Sequence, residues 1–377
     1  MIEPALNFNG QGMMGQKLRI GVACGGTGGH IFPGLATANE LASRGHEITL
    51  WLAGKDIEHD AVKAWRGEVI TIPSEGFQFG LSLRSLKTIQ KLRQAYRLSL
   101  APMRKKAPNV MLAMGSYASY GPMKAAIKLG VPYVLHEANL IPGRAVSFLA
   151  RKADTVAVSF EKTGYYLKHA NMVTTGMPLR QELQLASDFP RAERNEGAPL
   201  RILVVGGSRG AQVLNEVVPK AIAATAEKGI DIQVEHIAGL QDKEAVEELY
   251  SSLGANAQVY QFVQDMENKY LATDLAICRS GAATCAELAA FGVPALFVPY
   301  PYAVRNHQMS NARILQDSGA ADVVAQEDLT ASWLRDYLVS VMEKPARLER
   351  MSVAMKKRAQ SNAAGQLADL LEKVAGA

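Results

Sequence analysis

The chain has 377 residues, is 48% hydrophobic and 20% charged, and carries a formal net charge of +5. That length supplies two domains with a core each, and the composition excludes a disordered or fibrous protein. No apolar run reaches the ~18–20 residues of a membrane-spanning helix, residues 1–16 lack the pattern of a secretory signal, and Cys24, Cys278 and Cys285 are too few and too scattered for a disulfide framework or a zinc site.

Met13 and Met14 stand just before the first strand and offer alternative starts. In chain order the pattern predicts a strand at Leu18–Ala23, a helix at Pro33–Arg44 with proline in its first turn and Gly45 as its stop, and a strand at Glu47–Leu52. A weaker helix at Ile57–Trp65 leads to a strand at Val69–Ile72. Ser85–Leu100 reads as a helix ended by Pro102, followed by a strand at Val110–Met114, a helix at Gly121–Leu129, and strands at Pro132–His136 and Thr155–Val158. The boundary falls after Thr174–Gly176. The second half repeats the alternation through Arg201–Val205, Val213–Glu227, Gln233–Ile237, Lys243–Ser252, Gln258–Tyr260, Asp274–Cys278, Thr284–Phe291, Ala295–Val298 and His307–Gln316. A last helix, Ala363–Val374, has no strand after it and is expected to pack back on the first domain. Strands alternating with helices imply an α/β protein with parallel sheets. Cys24 and Cys278 close strands and are expected to be buried thiols.

The same device occurs twice. LRIGVACGGTGGH spans Leu18–His30 and LRILVVGGSRGA spans Leu200–Ala211. A buried strand that breaks into glycines and then a helix N-terminus points backbone N–H groups and a favourable dipole at a phosphate. Neither loop is the dinucleotide fingerprint, which speaks against a nucleotide-dependent oxidoreductase. His30 ends the first loop at the mouth of a helix, where the dipole favours neutral imidazole. A neutral imidazole beside a phosphate-lined cleft suits a general base, and a structurally packed histidine is the plainer alternative. RSGAAT (Arg279–Thr284) leads into a helix bearing Glu287, placed to accept two ribose hydroxyls or simply to face solvent. NHQMSN (Asn306–Asn311) follows an apolar strand and offers amide donors and acceptors for sugar hydroxyls, or caps for its own helix. HEANLIPG (His136–Gly143) brings His136, Glu137 and Asn139 to the same edge. No Asp-x-Asp metal signature is present, so loop amides, helix dipoles and Arg180 are left to stabilise a departing diphosphate.

GGTGGH, GSY (Gly115–Tyr117), HEANLIPG, TGMPLR, GGSRGA, RSGAAT with Glu287, and NHQMSNA together resemble, in order and spacing, the peptidoglycan N-acetylglucosaminyltransferase family that converts lipid I to lipid II. The resemblance runs from Leu18 over nearly the whole chain. It implies two Rossmann-like parallel-sheet domains facing a cleft, the GT-B glycosyltransferase fold. Residues 17–176 plus 358–377 would form an acceptor domain associated with the membrane, and 177–357 a UDP-sugar domain. By position, His30 matches the family's base, while Thr27, Gly28, Gly29 and Tyr117 fall in acceptor-side loops. Asn139 matches a contact of the donor sugar or its acceptor, and Arg180 and Ser208 match diphosphate contacts. Val263 sits where uracil is held, Ala282 in a donor-side loop, Glu287 at the ribose, and His307 with Gln308 at the sugar. No metal and no cofactor are implied. The partners implied are UDP-N-acetylglucosamine, lipid I and an anionic membrane, at the cytoplasmic face of the bacterial inner membrane. Ser116, Ala138, Met177 and Arg209 depart from the family pattern, where glycine, glutamine, asparagine and glutamine are usual.

From Gly76 through His136 there is no Asp or Glu, and ten lysines and arginines fall in that stretch. Leu81, Leu83, Leu86, Ile89, Leu92 and Tyr96 recur at about helical spacing between them. Such a segment is expected to lie on anionic lipid; a core-facing helix with a solvated basic face is the alternative. Few aromatics and no nucleic-acid motif argue against nucleic acid. The leading expectation is an inverting, metal-independent transferase making lipid II. A related enzyme with another lipid acceptor, such as diacylglycerol, stays open, as does a membrane-binding protein without activity.

Overall fold

The structure, a computed structural model, describes residues 16–58, 60–73, 83–195, 197–207 and 210–376. Met13, Met14, Leu81, Ser208 and Arg209 lie outside the described residues. The first half contains β1 (Arg19–Ala23), α1 (Gly28–Ser43), β2 (Glu47–Ala53), α2 (Asp60–Lys63), β3 (Glu68–Ile72), α3 (Leu83–Lys105), β4 (Val110–Ala113), α4 (Tyr120–Leu129), β5 (Tyr133–Glu137), α5 (Arg144–Leu149), β6 (Thr155–Val158) and β7 (Met172–Thr174). The second half contains α6 (Gln181–Ala186), β8 (Leu200–Val205), α7 (Gln212–Ala226), β9 (Ile232–Ile237), α8 (Lys243–Ser252), β10 (Ala257–Tyr260), α9 (Met266–Ala272), β11 (Leu275–Cys278), α10 (Ala282–Phe291), β12 (Ala295–Phe297), α11 (His307–Asp317), β13 (Ala321–Val323), α12 (Ala331–Glu343), α13 (Ala346–Lys356) and α14 (Ala363–Ala375).

Two all-parallel sheets result, ordered β3-β2-β1-β4-β5-β6-β7 and β10-β9-β8-β11-β12-β13. All residues of β4 and of β11 are buried, as befits strands covered on both faces. On the first sheet one face packs Leu35, Leu41, Leu367 and Leu371 of α1 and α14, and the other packs Met103, Met123 and Leu149 of α3, α4 and α5. On the second, α7, α8 and α12 cover one face, and α9, α10 and α11 the other. In each sheet the strand order reverses beside the first strand, at β1/β4 and β8/β11. Ligands of open parallel sheets bind at this switch point, beyond the carboxyl ends of the strands. The GGTGGH, GSY, GGSRGA and RSGAAT loops all leave those four strands at those ends.

Three expected helices take a different form, and α5, α6, α9, α12 and α13 are helices that the sequence pattern does not predict. The helix expected from Pro33 starts at Gly28, so Pro33 sits inside it and forgoes one backbone bond. This earlier start puts His30 in the first turn. The helix expected to stop before Pro102 continues through it to Lys105, with Ala95, Ser99 and Met103 buried on one side. Tertiary packing overrides a local breaker there. The segment 57–65 is a 3-10 turn followed by the four-residue α2. Cys24, Cys278 and Cys285 are free and buried, and burial pushes all three thiols up.

The chain passes between the sheets twice. Gly176 adopts φ +81°, and a Cβ placed there would lie 2.5 Å from Cβ of Gln360 on the returning segment, so only glycine allows the two passes to touch. After the return, α14 docks on the first sheet. Arg44 pairs with Asp369 at 2.6 Å and Glu372 at 3.2 Å, and His46 Nε2 lies 2.9 Å from Glu372.

Candidate active site

The β1–α1 loop, the β4–α4 loop and the 137–143 segment line one cleft of about 380 Å³. It brings together Thr27, His30, Tyr117 and Asn139 of the first half with His307 of the second. Gly28 and Gly29 are the first two residues of α1, where N–H groups have no partner within the helix. Thr27 caps this helix in extended backbone, and its Oγ1 lies 2.9 Å from His30 Nδ1. With Nδ1–H donating to the hydroxyl, Nε2 keeps its lone pair. The His30 pKa is pushed down to about 4, first by desolvation and second by the neighbouring His136. The ring is therefore neutral at pH 7.

His136 is fully buried at the end of β5, with Nε2 donating to the carbonyl of Gly176 at 2.9 Å and Nδ1 without a protein partner. Glu137 is not an open cleft-edge acid. Its Oε1 accepts from the Asn139 backbone N–H at 2.8 Å and its Oε2 from that of Gly143 at 2.8 Å, so it folds the HEANLIPG loop. Burial pushes its carboxyl up against the opposing pull of those N–H groups.

The two halves are tied across the cleft. Asn311, fully buried on α11, donates Nδ2 to Asn139 Oδ1 at 3.1 Å and accepts from the Leu140 N–H at 3.0 Å. Arg305 donates to the Pro142 carbonyl at 3.0 Å. Arg305 and Asn306 are consecutive left-handed residues, φ +56° and +54°. That conformation costs a side chain free energy, and the cross-cleft bond holds it.

A second group gathers around α10. Tyr270 donates its hydroxyl to Glu287 Oε2 at 2.6 Å. Burial raises the Glu287 carboxyl, while Tyr270 and the Arg180 charge pull it down. Arg180, at the start of α6, also lies over the Phe32 ring of α1, 5.2 Å from its centroid. Ala282 opens α10 and packs against Ala138 and Met177 at the domain junction. Gln308 accepts from the Tyr300 N–H at 2.9 Å, and His307 Nδ1 lies 2.8 Å from the Val304 carbonyl. The Val263 side chain is buried in a core cluster of the second half. In the second glycine loop, a Cβ on Gly210 would stand 2.3 Å from the Ala238 carbonyl oxygen, which enforces glycine there. Ser208, expected in this loop, lies outside the described residues.

Tyr270 and Arg305 join these networks without a signal in the sequence, as does Asp56, whose carboxylate accepts from the Gly26 N–H of the β1–α1 loop. Asp56 stands in a stretch with no periodicity, Tyr270 in a short helix the pattern does not reveal, and Arg305 in a loop whose backbone no residue type announces. Among the described residues, no group of three or more His, Cys, Asp and Glu side chains is placed to hold a metal ion.

Two facing parallel-sheet domains with loops converging at both switch points define the GT-B fold, and the family that the two halves match makes it a glycosyltransferase. Residues 20–158 match the glycosyltransferase family 28 N-terminal domain, and residues 201–367 match its C-terminal domain. The chain is 40% identical to the UDP-N-acetylglucosamine--N-acetylmuramyl-(pentapeptide) pyrophosphoryl-undecaprenol N-acetylglucosamine transferase of Paraburkholderia phymatum, over 96% of each chain. It is 39% identical to the protein of the same name from Burkholderia vietnamiensis, over 97% of this chain and 98% of that one. Among solved structures, Acinetobacter baumannii MurG superposes with a TM-score of 0.77 at 30% identity, covering 94% of this chain and 99% of the other. A UDP-N-acetylglucosamine 2-epimerase shares the fold alone, with a TM-score of 0.70 at 13% identity. The chain belongs to this lipid-intermediate N-acetylglucosaminyltransferase family within glycosyltransferase family 28.

Proposed function

We propose that the chain transfers N-acetylglucosamine from UDP-N-acetylglucosamine, with inversion, to the 4-hydroxyl of the muramoyl-pentapeptide of undecaprenyl-linked lipid I, giving lipid II for peptidoglycan. The observation that carries this reading is kinship at 40% identity over 96% of both chains with an enzyme of that name. The neutral His30 in the cleft supports it chemically. Residues 17–176 with 358–377 form the acceptor domain, and 177–357 the donor domain.

In this reading the 4-hydroxyl approaches His30 Nε2, which takes its proton as the oxygen attacks the anomeric carbon. The bond from that carbon to the diphosphate oxygen breaks on the opposite side, and UDP leaves with the electron pair. Arg180 and the N-terminus of α10 stabilise the charge that develops on it. Glu287, steadied by Tyr270, takes the ribose. Val263 lies at the uracil, His307 and Gln308 at the sugar, and Thr27, Gly28, Gly29, Tyr117 and Asn139 face the acceptor. A base with a pKa near 4 is weak on its own. The negative charge of bound diphosphate raises an imidazole pKa towards the range where proton transfer is efficient.

Two measurements test this. Turnover of UDP-N-acetylglucosamine with a lipid I analogue is expected, and turnover with diacylglycerol alone would overturn the acceptor. Calorimetry should show UDP binding without magnesium and weaker binding in Glu287→Ala; binding only with a divalent ion would overturn the site.

Among the described residues, no helix is long and apolar enough to cross a membrane. A peripheral position at the cytoplasmic face of the inner membrane fits α3, where Arg93, Arg97, Leu98, Arg104 and Lys105 are exposed. Each such charge near anionic lipid contributes ~1 kcal/mol. Co-sedimentation with anionic vesicles should fall about tenfold or more in Arg93→Glu with Arg97→Glu. Turnover on a water-soluble acceptor should stay unchanged. Undiminished vesicle binding would make this basic face an ordinary solvated one.

A further inference from the structure

The loop that carries Thr27 and His30 is gripped on two sides by residues outside the described chemistry. On one side stands Asp56, 5% exposed. Its Oδ2 accepts from the Gly26 N–H at 2.7 Å and from the Ala53 N–H at 3.0 Å, joining the loop to the end of β2. The approach is so close that a Cβ on Gly25 would lie 2.7 Å from the same oxygen and 2.5 Å from the Ala53 nitrogen. On the other side stands Ser116, in the β4–α4 loop. Its hydroxyl donates to the Gly25 carbonyl at 2.5 Å and accepts from the Ala118 N–H at 3.1 Å. Ser116 adopts φ +69°. A serine held in the left-handed region is strained, and such strain persists only where surrounding bonds over-determine it. Its neighbour Gly115 lies between the His30 ring and the His136 carbonyl, 3.8 Å and 3.6 Å from its ideal Cβ position.

We infer that Asp56 and Ser116 are positioning residues, a two-sided clamp that fixes the β1–α1 loop and thereby the place of the His30 imidazole in the cleft. The inference rests on His30 being the base. It also changes what the first glycine loop does. Its Gly26 N–H, the natural seat for a phosphate oxygen, is filled from within by a carboxylate. Anion recognition in this domain then falls to the N–H groups at the start of α1. A clamp suits the chemistry, since a misplacement of about 1 Å at a reacting group costs about 10²-fold in rate.

Both Asp56 bonds run to one oxygen, so Asp56→Asn keeps them with its amide oxygen in that place, while Asp56→Ala loses both. Ser116→Ala keeps the strained backbone and removes the hydroxyl. The experiment measures kcat on a soluble acceptor analogue, UDP affinity by calorimetry, and the acid limb of kcat/KM. Per UDP-binding site, Asp56→Ala and Ser116→Ala should each lower kcat by about tenfold or more. UDP affinity should hold, and the acid limb should rise towards the ordinary histidine value as the ring loses its place. Asp56→Asn should stay near wild type. If Asp56→Ala does not fold, Ser116→Ala decides alone. Unchanged kcat and acid limb in the alanine variants, a parallel loss of UDP affinity, or an Asp56→Asn as damaged as Asp56→Ala each overturn the clamp. His30→Ala in parallel separates the two readings. Full turnover there retires the base, whereas an inactive His30→Ala beside an unimpaired Ser116→Ala retires only the clamp.

Discussion

His30→Ala should cut turnover by about 10²–10⁴-fold, the usual effect of losing a general base, while UDP affinity measured without magnesium stays near wild type. The expectation follows from where the ring stands. It is in the first turn of α1, held at Nδ1 by Thr27 at 2.9 Å, and kept neutral by desolvation. Among the described residues, no hydrogen bond or ring contact joins His30 to Glu287, Tyr270 or Arg180, where UDP binding is proposed, so that binding has no reason to change. Thr27→Val should show a smaller fall in the same direction, since it frees the ring without removing it. Unaltered turnover in His30→Ala would leave the residue a packing role and send the search for the base elsewhere in the cleft.

Acidification should destabilise the fold steeply between about pH 6.5 and pH 4, by about 4 kcal/mol at pH 5 from two histidines alone. His136 and His236 are both fully buried, with pKa values lowered to about 4 and about 3. His236 donates Nε2–H to Asn215 and accepts from the Tyr250 hydroxyl, each at 3.1 Å. Below pH 6.5 the unfolded chain binds a proton at each histidine that the folded chain refuses. Stability therefore falls with pH by about 1.4 kcal/mol per unit for each, until the folded-state values are reached. Above pH 6.5 neither state is protonated and the effect is absent. Glu137 and Glu287 oppose the trend, because burial raises their carboxyls and the folded chain gains those protons first. Urea unfolding at pH 7 and pH 5 measures the balance. Equal stability at the two values would overturn the expected net loss, either because water reaches the imidazoles or because the two carboxyls offset them.

Much of this architecture is visible in the residues. Runs such as Ile20–Ala23 and Ile202–Val205 announce buried strands because parallel strands are nearly continuous in apolar residues, and the glycines after them announce where the chain must turn tightly. Repetition of that pattern reveals two like domains. What stays hidden, beside the long helices α12 and α13, is of three kinds. Short elements such as β7, β13 and α9 take their conformation from the sheet or helix beside them, so three to seven residues carry no period of their own. Long-range hydrogen bonds carry no pattern either. Glu137 stands at the cleft edge in sequence yet spends both oxygens on its own loop. Ser116 looks like a simple substitution for glycine yet bridges two loops from a strained backbone. The helix from Gly28 shows a third case, in which a proline expected at a helix start is tolerated inside because the flanking face is buried.

The return of α14 to the first sheet has a bearing on how the molecule is made. Leu367, Ala368 and Leu371 belong to the same core cluster as Ile20, Leu41 and Leu112. On the ribosome the first domain emerges first, yet this core stays open until α14 has left the exit tunnel. The face of the second sheet covered by α7, α8 and α12 draws on an unbroken stretch from Leu200 to Met351. It has all its parts earlier relative to its own length. The order of completion is thus the reverse of the order of emergence, and the nascent first half carries uncovered apolar surface until α14 reaches it.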